Sequence, residues 1–236
     1  ASIFLICECK DRTFFLSLQT FIKKIIEKIF ESKFMTFYLY SEEIEKQIKA
    51  INKDIYLSMN GVNSELMDNH GLHYKKNYGV GLLRLKEIAR KYESSTLLAE
   101  RLWDLDVRET KILATMLYPS IHLNKEVVYR FMYQANTTEL IEQLSLNLIR
   151  NFADFSNYAI DWMNDNCESV RCSTLLALSR TIDRFSEKQL DELIHVAISF
   201  ANSANFFEAK AISIFLRFYL KSYMKNREKI MNLIKD

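Results

Sequence analysis

Four glycines and one proline serve all 236 residues, and that scarcity constrains the fold more than any other feature. Hairpins and tight turns draw on Gly and Pro, so a chain this poor in both is not a succession of short strands. Apolar residues instead recur at helical spacing almost throughout. In the first segment Phe14, Leu18, Phe21, Ile22, Ile25 and Ile29 form one stripe, with Lys23, Lys24, Glu27 and Lys28 opposite. A second helix is expected over about residues 41–58. "NYGVGLLRLKEIARKY" then starts a third after a glycine-bearing turn.

Helix starts are marked by a short polar residue followed three places on by Glu or Gln, the capping-box pattern. It occurs at Asp106 with Glu109, Asn136 with Glu139, Ser186 with Gln189, and Asn205 with Glu208, each just before an apolar-periodic run. "VRETKILATML", "VRCSTLLALSR" and "AKAISIFLRFY" share a local pattern: a small or branched apolar residue, a basic one, then core spacing. Arg171 and Lys210, in the last two, stand 39 residues apart. That is the length of a two-helix HEAT or armadillo-like unit, roughly 40–47 residues. Arg108 to Arg171 does not fit one such unit, so the repeat is irregular. The expected fold class is all-α: HEAT/armadillo-like helical repeats forming a curved α-solenoid, with a helical bundle as the alternative.

Composition narrows the remaining classes. With 49% hydrophobic and 26% charged residues the chain can bury a real core. A net charge of +2 does not by itself imply a nucleic-acid partner, so the placement of charge must carry that argument. No run of about eighteen apolar residues is present to span a membrane. Cys7, Cys9, Cys167 and Cys172 follow no secretory segment, so reduced thiols and a cytoplasmic location are expected. A zinc site from Cys7, Cys9, His70 and His73 is disfavoured by their separation. Neither metal nor cofactor is expected. Residues 1–34 differ in character, with no Met before Met35, and are read as an amphipathic segment apart from a domain over 35–236.

Two phrases carry a family likeness. "MNGVNSELMDNHGLHYKKNYGVGLLRLKEIARKY" followed by "LLAERLWDLDVRETKILATMLYP" resembles the DNA alkylation-repair family of AlkD-like proteins. The resemblance runs from about residue 41 to the C-terminus and is strongest over 59–119. It implies HEAT-like repeats around duplex DNA, and excision of cationic alkylpurines such as 3-methyladenine and 7-methylguanine. In that chemistry the departing base already carries positive charge. The demand falls on the sugar, whose oxocarbenium character a carboxylate can stabilise while aromatic faces hold base and sugar.

The resemblance places the family's catalytic aspartate on Glu142 and its arginine on Arg171. Its two tryptophan positions fall on Thr138 and Ile214, so a carboxylate and an arginine survive in kind and both aromatics are lost. In "NTTELIEQLSLNLIR" the capping box accounts for Glu139. Leu140, Ile141, Leu144 and Leu148 make the core face, and Glu142 lies off it, flanked by Thr138, Ser145, Leu146 and Ile149. A solvated glutamate, or a carboxylate paired with Arg171, is the plain alternative. Basic residues supply the expected DNA contacts: Lys210, Arg217, Lys221 and Lys225 form one stripe, Arg180 and Arg184 a pair. Phosphate contacts of this kind predict salt-sensitive, sequence-independent binding. The expected protein is a monomeric DNA-binding alkylpurine glycosylase with an altered site. The rival is a non-catalytic helical-repeat module that binds DNA or protein.

Overall fold

The computed structural model describes residues 41–201 and 204–223. The segment 1–34, its boundary, and Lys225 lie outside the described residues. Every regular element described is helical. Helix α1 is Glu42–Leu57, α2 Gly61–Asn69, α3 Leu82–Ala89, α4 Thr96–Asp104, α5 Arg108–Leu117 and α6 Lys125–Gln134. They are followed by α7 Thr138–Asn147, α8 Phe155–Met163, α9 Glu168–Leu178, α10 Glu187–Ala201 and α11 Phe206–Ser222. Apolar periodicity predicts α1 and then α3. The short α2 between them buries no side chain, so it leaves no apolar stripe to read.

The odd-numbered helices α3, α5, α7, α9 and α11 pack in succession as one row. Helices α4, α8 and α10 pack behind their partners α5, α9 and α11, while α6 packs mainly behind α9. A single 3-10 turn follows α5, α7 and α9 in the same place each time: Ser120–His122, Ile149–Asn151 and Ile182–Arg184. The repeat is therefore regular in parts and uneven in length. Helices α5, α7, α9 and α11 start at Arg108, Thr138, Glu168 and Phe206, intervals of thirty, thirty and thirty-eight residues. The 63 residues from Arg108 to Arg171, which do not fit one unit, span two short ones. The three phrases sharing a local pattern turn out to be α5, α9 and α11, all in the odd row.

One continuous apolar core fills the space between the rows. Trp103, 2% exposed, plugs the gap between α4 and α6 by stacking on Phe131 with centroids 4.3 Å apart. Such a pair contributes about 0.5–1.5 kcal/mol beyond its burial. Behind it the Arg130 guanidinium on α6 donates to both Glu100 oxygens on α4 at 2.6 Å.

Two of the four expected capping boxes are not formed. Helix α7 is capped by Thr137, whose hydroxyl accepts from the Leu140 amide at 3.4 Å, and Asn136 is not the cap. Helix α5 has no side-chain cap, because Asp106 adopts a positive φ of 53° and pairs with Lys111. The carboxylates of Glu139 and Glu109 turn instead to buried partners, described below. The Ser186–Gln189 box is complete, each backbone amide donating to the other side chain at 3.1 and 3.4 Å. At Asn205 only one half forms: the Glu208 amide donates to Asn205, and the Glu208 carboxylate is used elsewhere.

Candidate nucleic-acid interface

The N-terminal ends of α7, α9 and α11 meet around one groove of about 540 Å³. Thr137 and Thr138 of the first, Glu168 and Ser169 of the second, and Phe206 and Phe207 of the third line it. Phe206 is 87% exposed, an unusual setting for a phenyl ring at a helix start. Among the described helices it is the odd row, stacked side by side, that brings these ends to one place.

Next to the groove lies a buried ionic network that the sequence reading did not find. Arg108, fully buried, grips Glu139 with two nitrogens, Nε to Oε2 at 2.7 Å and Nη2 to Oε1 at 2.6 Å. Its third nitrogen donates to Glu109 and to the Val80 carbonyl, both at 2.9 Å. The Glu109 carboxylate accepts from the amides of Tyr78 and Val80 at 3.2 Å. Tyr74 completes the set, its hydroxyl donating to Glu139 and accepting from Thr137, each at 2.8 Å. Burial opposes the Arg108 charge, but the hydrogen bonds and charges of Glu139 and Glu109 outweigh it, so the guanidinium pKa is raised. Burial, then the Glu139 charge, pushes the Tyr74 hydroxyl up. Glu139 is thus explained by an ion pair, not by a helix cap.

Arg171 is similarly occupied. Its Nε donates to Glu208 at 2.6 Å and its Nη1 to the Asp165 carbonyl at 2.8 Å, while the guanidinium lies 4.7 Å over the Phe200 ring. The Glu208 hydrogen bond is the main cause of its raised pKa. Glu142 is half-buried on the turn of α7 after Thr138 and has no hydrogen bond or ion pair among the described residues. Neither Glu142 nor Arg171 lines the groove, and the two are not paired with each other. Thr138 does line it; Ile214 is partly buried against the core on α11.

On α11 the residues Lys210, Arg217 and Lys221 are exposed on one face, opposite Ala211, Phe215 and Tyr219 in the core, with no ion pair among the described residues. Ile214 falls within that stripe by helical spacing. Arg180 and Arg184 are exposed beyond the C-terminal end of α9, at the far end of that helix from the groove. Each uses one guanidinium nitrogen locally, Arg180 on the Leu176 carbonyl at 2.7 Å and Arg184 on the Phe152 carbonyl at 3.4 Å. Among the described residues no cluster of three or more His, Cys, Asp or Glu could hold a metal ion, and no helix is long and apolar enough to cross a membrane. Cys7 and Cys9 lie outside the described residues. His73 is bonded to Asp68 at 2.6 Å.

Stacked helix pairs, with a turn closing several units and the helix starts of one row gathered around a groove, define a HEAT-like helical-repeat protein. A family model described as "DNA alkylation repair enzyme" matches residues 51–231, and the chain belongs to that family. Among solved structures it is similar to one described as a member of "a new family of proteins related to the HEAT-like repeat DNA glycosylases with affinity for branched DNA structures". That likeness has a TM-score of 0.70 at 16% identity, over 79% of this chain and 81% of the other. At this identity it concerns the fold. No curated protein matches the sequence.

Proposed function

We propose that this chain binds DNA through the phosphate backbone and does not excise bases. The observation that carries the reading is the commitment of Arg171 to Glu208, the Asp165 carbonyl and Phe200. With Nε and Nη1 so used and the guanidinium stacked on Phe200, Arg171 acts first as a strut between α9 and α11, and it does not line the groove. Thr138 and Ile214 offer no aromatic face to a cationic base. The exposed cations Lys210, Arg217 and Lys221 remain available for phosphates, with Arg180 and Arg184 a second set. The relative with affinity for branched DNA makes junctions, as well as duplexes, the substrates to compare.

A second reading is favoured by Glu142, a half-buried carboxylate without a partner among the described residues, one turn from the groove. It would stabilise the sugar cation formed as an alkylpurine such as 3-methyladenine or 7-methylguanine departs. One experiment separates the two. Methylated duplex DNA is incubated with the unaltered protein and with Glu142→Gln, and released bases are measured beside binding at several salt concentrations. Salt-sensitive binding without base release is expected. Base release that Glu142→Gln abolishes would establish the glycosylase instead.

A further inference from the structure

The twelve-residue connection between α2 and α3 contains no regular structure, yet it is held more firmly than a surface loop requires. Connections between packed helices usually take two to eight residues, and longer ones tend to carry function. From one side the Arg108 amide donates to the Lys76 carbonyl at 2.9 Å, Glu109 accepts from the amides of Tyr78 and Val80, and Glu139 holds Tyr74. From the other side Ser64 donates to the Asn77 carbonyl at 3.1 Å and Asn63 to the Gly79 carbonyl at 2.7 Å. Burying Arg108 and Glu109 carries a desolvation cost, and what that network fixes is this loop. Gly79, at φ +69°, is pressed so close to α2 that a Cβ there would stand 2.0 Å from the Asn60 carbonyl oxygen.

The side chains left facing water on this rigid frame include two adjacent cations. Lys75 is 80% exposed and reaches only the outer oxygen of Asp106, at 3.7 Å. Lys76 is exposed and lies 5.1 Å over the Tyr78 ring. Asp106 is already bound by Lys111, so three ammonium groups share that one carboxylate or stand free of it. The loop also abuts the groove directly, because Thr137, in its wall, donates to the Tyr74 hydroxyl.

We propose that the Tyr74–Val80 loop is a preorganised phosphate-contacting arm, with Lys75 and Lys76 seated on the DNA backbone beside the groove. This rests on the DNA-binding reading above and extends it to residues far in sequence from the α11 stripe. A fixed backbone spares the ordering cost that a loose loop would meet on binding, so two lysines suffice to be felt. Each phosphate contact adds about 0.9 to the slope of log affinity against log salt.

The test is binding of labelled duplex and four-way-junction DNA by fluorescence anisotropy between about 50 and 200 mM salt. Lys75→Ala with Lys76→Ala is compared with Lys210→Ala with Arg217→Ala, with Lys75→Arg plus Lys76→Arg, and with the unaltered protein; circular dichroism checks each fold. The loop alanine variant should lose affinity on the order of tenfold and its salt slope should fall by about one to two, while the arginine variant keeps both. If the loop alanines change neither affinity nor slope while the α11 alanines weaken binding, the inference is overturned and the DNA-binding reading stands. If the unaltered protein shows no salt-dependent binding to either DNA, the reading fails and takes the inference with it.

Discussion

Arg171 on α9 and Glu208 on α11 meet at 2.6 Å, with their side chains 11% and 6% exposed. The pair joins the last two described helices of the odd row, so its first consequence is mechanical. Removing one partner of a buried pair typically costs about 3–5 kcal/mol, because the other charge is left without compensation. Arg171→Ala should therefore lower stability by about 3 kcal/mol. Glu142→Gln, at a half-buried site without a partner, should change it by less than about 0.5 kcal/mol. Urea unfolding midpoints of the two variants decide the matter. An Arg171→Ala protein as stable as the original would mean that the arginine is not serving as a strut.

The same reasoning applies more strongly at Arg108, whose side chain is wholly buried against Glu109 and Glu139. Arg108→Ala strands two carboxylates and empties a large side-chain volume, so a loss at or above about 5 kcal/mol is expected. Glu139→Gln should be milder, since a neutral amide can still accept from the guanidinium. Thermal unfolding of both variants checks the order, which reverses if Glu139 rather than Arg108 is the keystone.

How far these contacts were legible depends on the physical signal each leaves behind. Apolar periodicity gave the helices and the core face of α7, where Leu140, Ile141 and Leu144 are indeed buried. The ion pairs leave no periodic trace within one helix. Their trace lies across units: Glu100 and Arg130 are 30 residues apart, Arg108 and Glu139 31, Arg171 and Glu208 37. Opposite charges one unit apart meet because successive units stack in register. Taking the unit as about forty residues hid that correspondence, and so the local capping pattern won at Glu109 and Glu139. Tyr74 could not have been placed from sequence, since it reaches Glu139 from an irregular loop 65 residues away. The groove escaped for a similar reason, because its walls come from three separated helix starts.

Gly79 offers a sharp test of the loop. Its φ of +69° is a conformation L side chains rarely adopt, and a Cβ would meet the Asn60 carbonyl oxygen at 2.0 Å and the Ser64 amide nitrogen at 2.7 Å. Backbone lies on the other side of both clashes, so no side chain can swing away. Gly79→Ala should cost about 1–3 kcal/mol and speed amide exchange at Tyr78 and Val80, whose amides bind Glu109. Gly71, also at positive φ but with open space around it, should tolerate alanine better. Equal losses at the two sites would show that strain in φ, and not contact with α2, dominates.

Three tyrosines, Tyr118 buried and Tyr74 and Tyr129 partly so, should weaken the fold at high pH. The Tyr118 hydroxyl is pushed up to about 12 by burial and then by the Glu100 charge, with Arg130 acting in the opposite sense. Burial raises Tyr74 and Tyr129 as well. In the unfolded chain each would titrate near about 10. Below that pH the hydroxyls are protonated in both states, and their contribution is fully present. As pH rises from about 10 towards 12, the unfolded chain gives up these protons while the native one keeps them. The unfolded state then binds fewer protons, so stability falls with pH, and Tyr118's contribution is lost as pH passes through its folded value. Urea midpoints from about pH 9 to pH 12 should decline for the unaltered protein. They should decline less steeply for Tyr118→Phe, which has no hydroxyl to ionise in either state. Identical slopes for the two proteins would remove Tyr118 from the account.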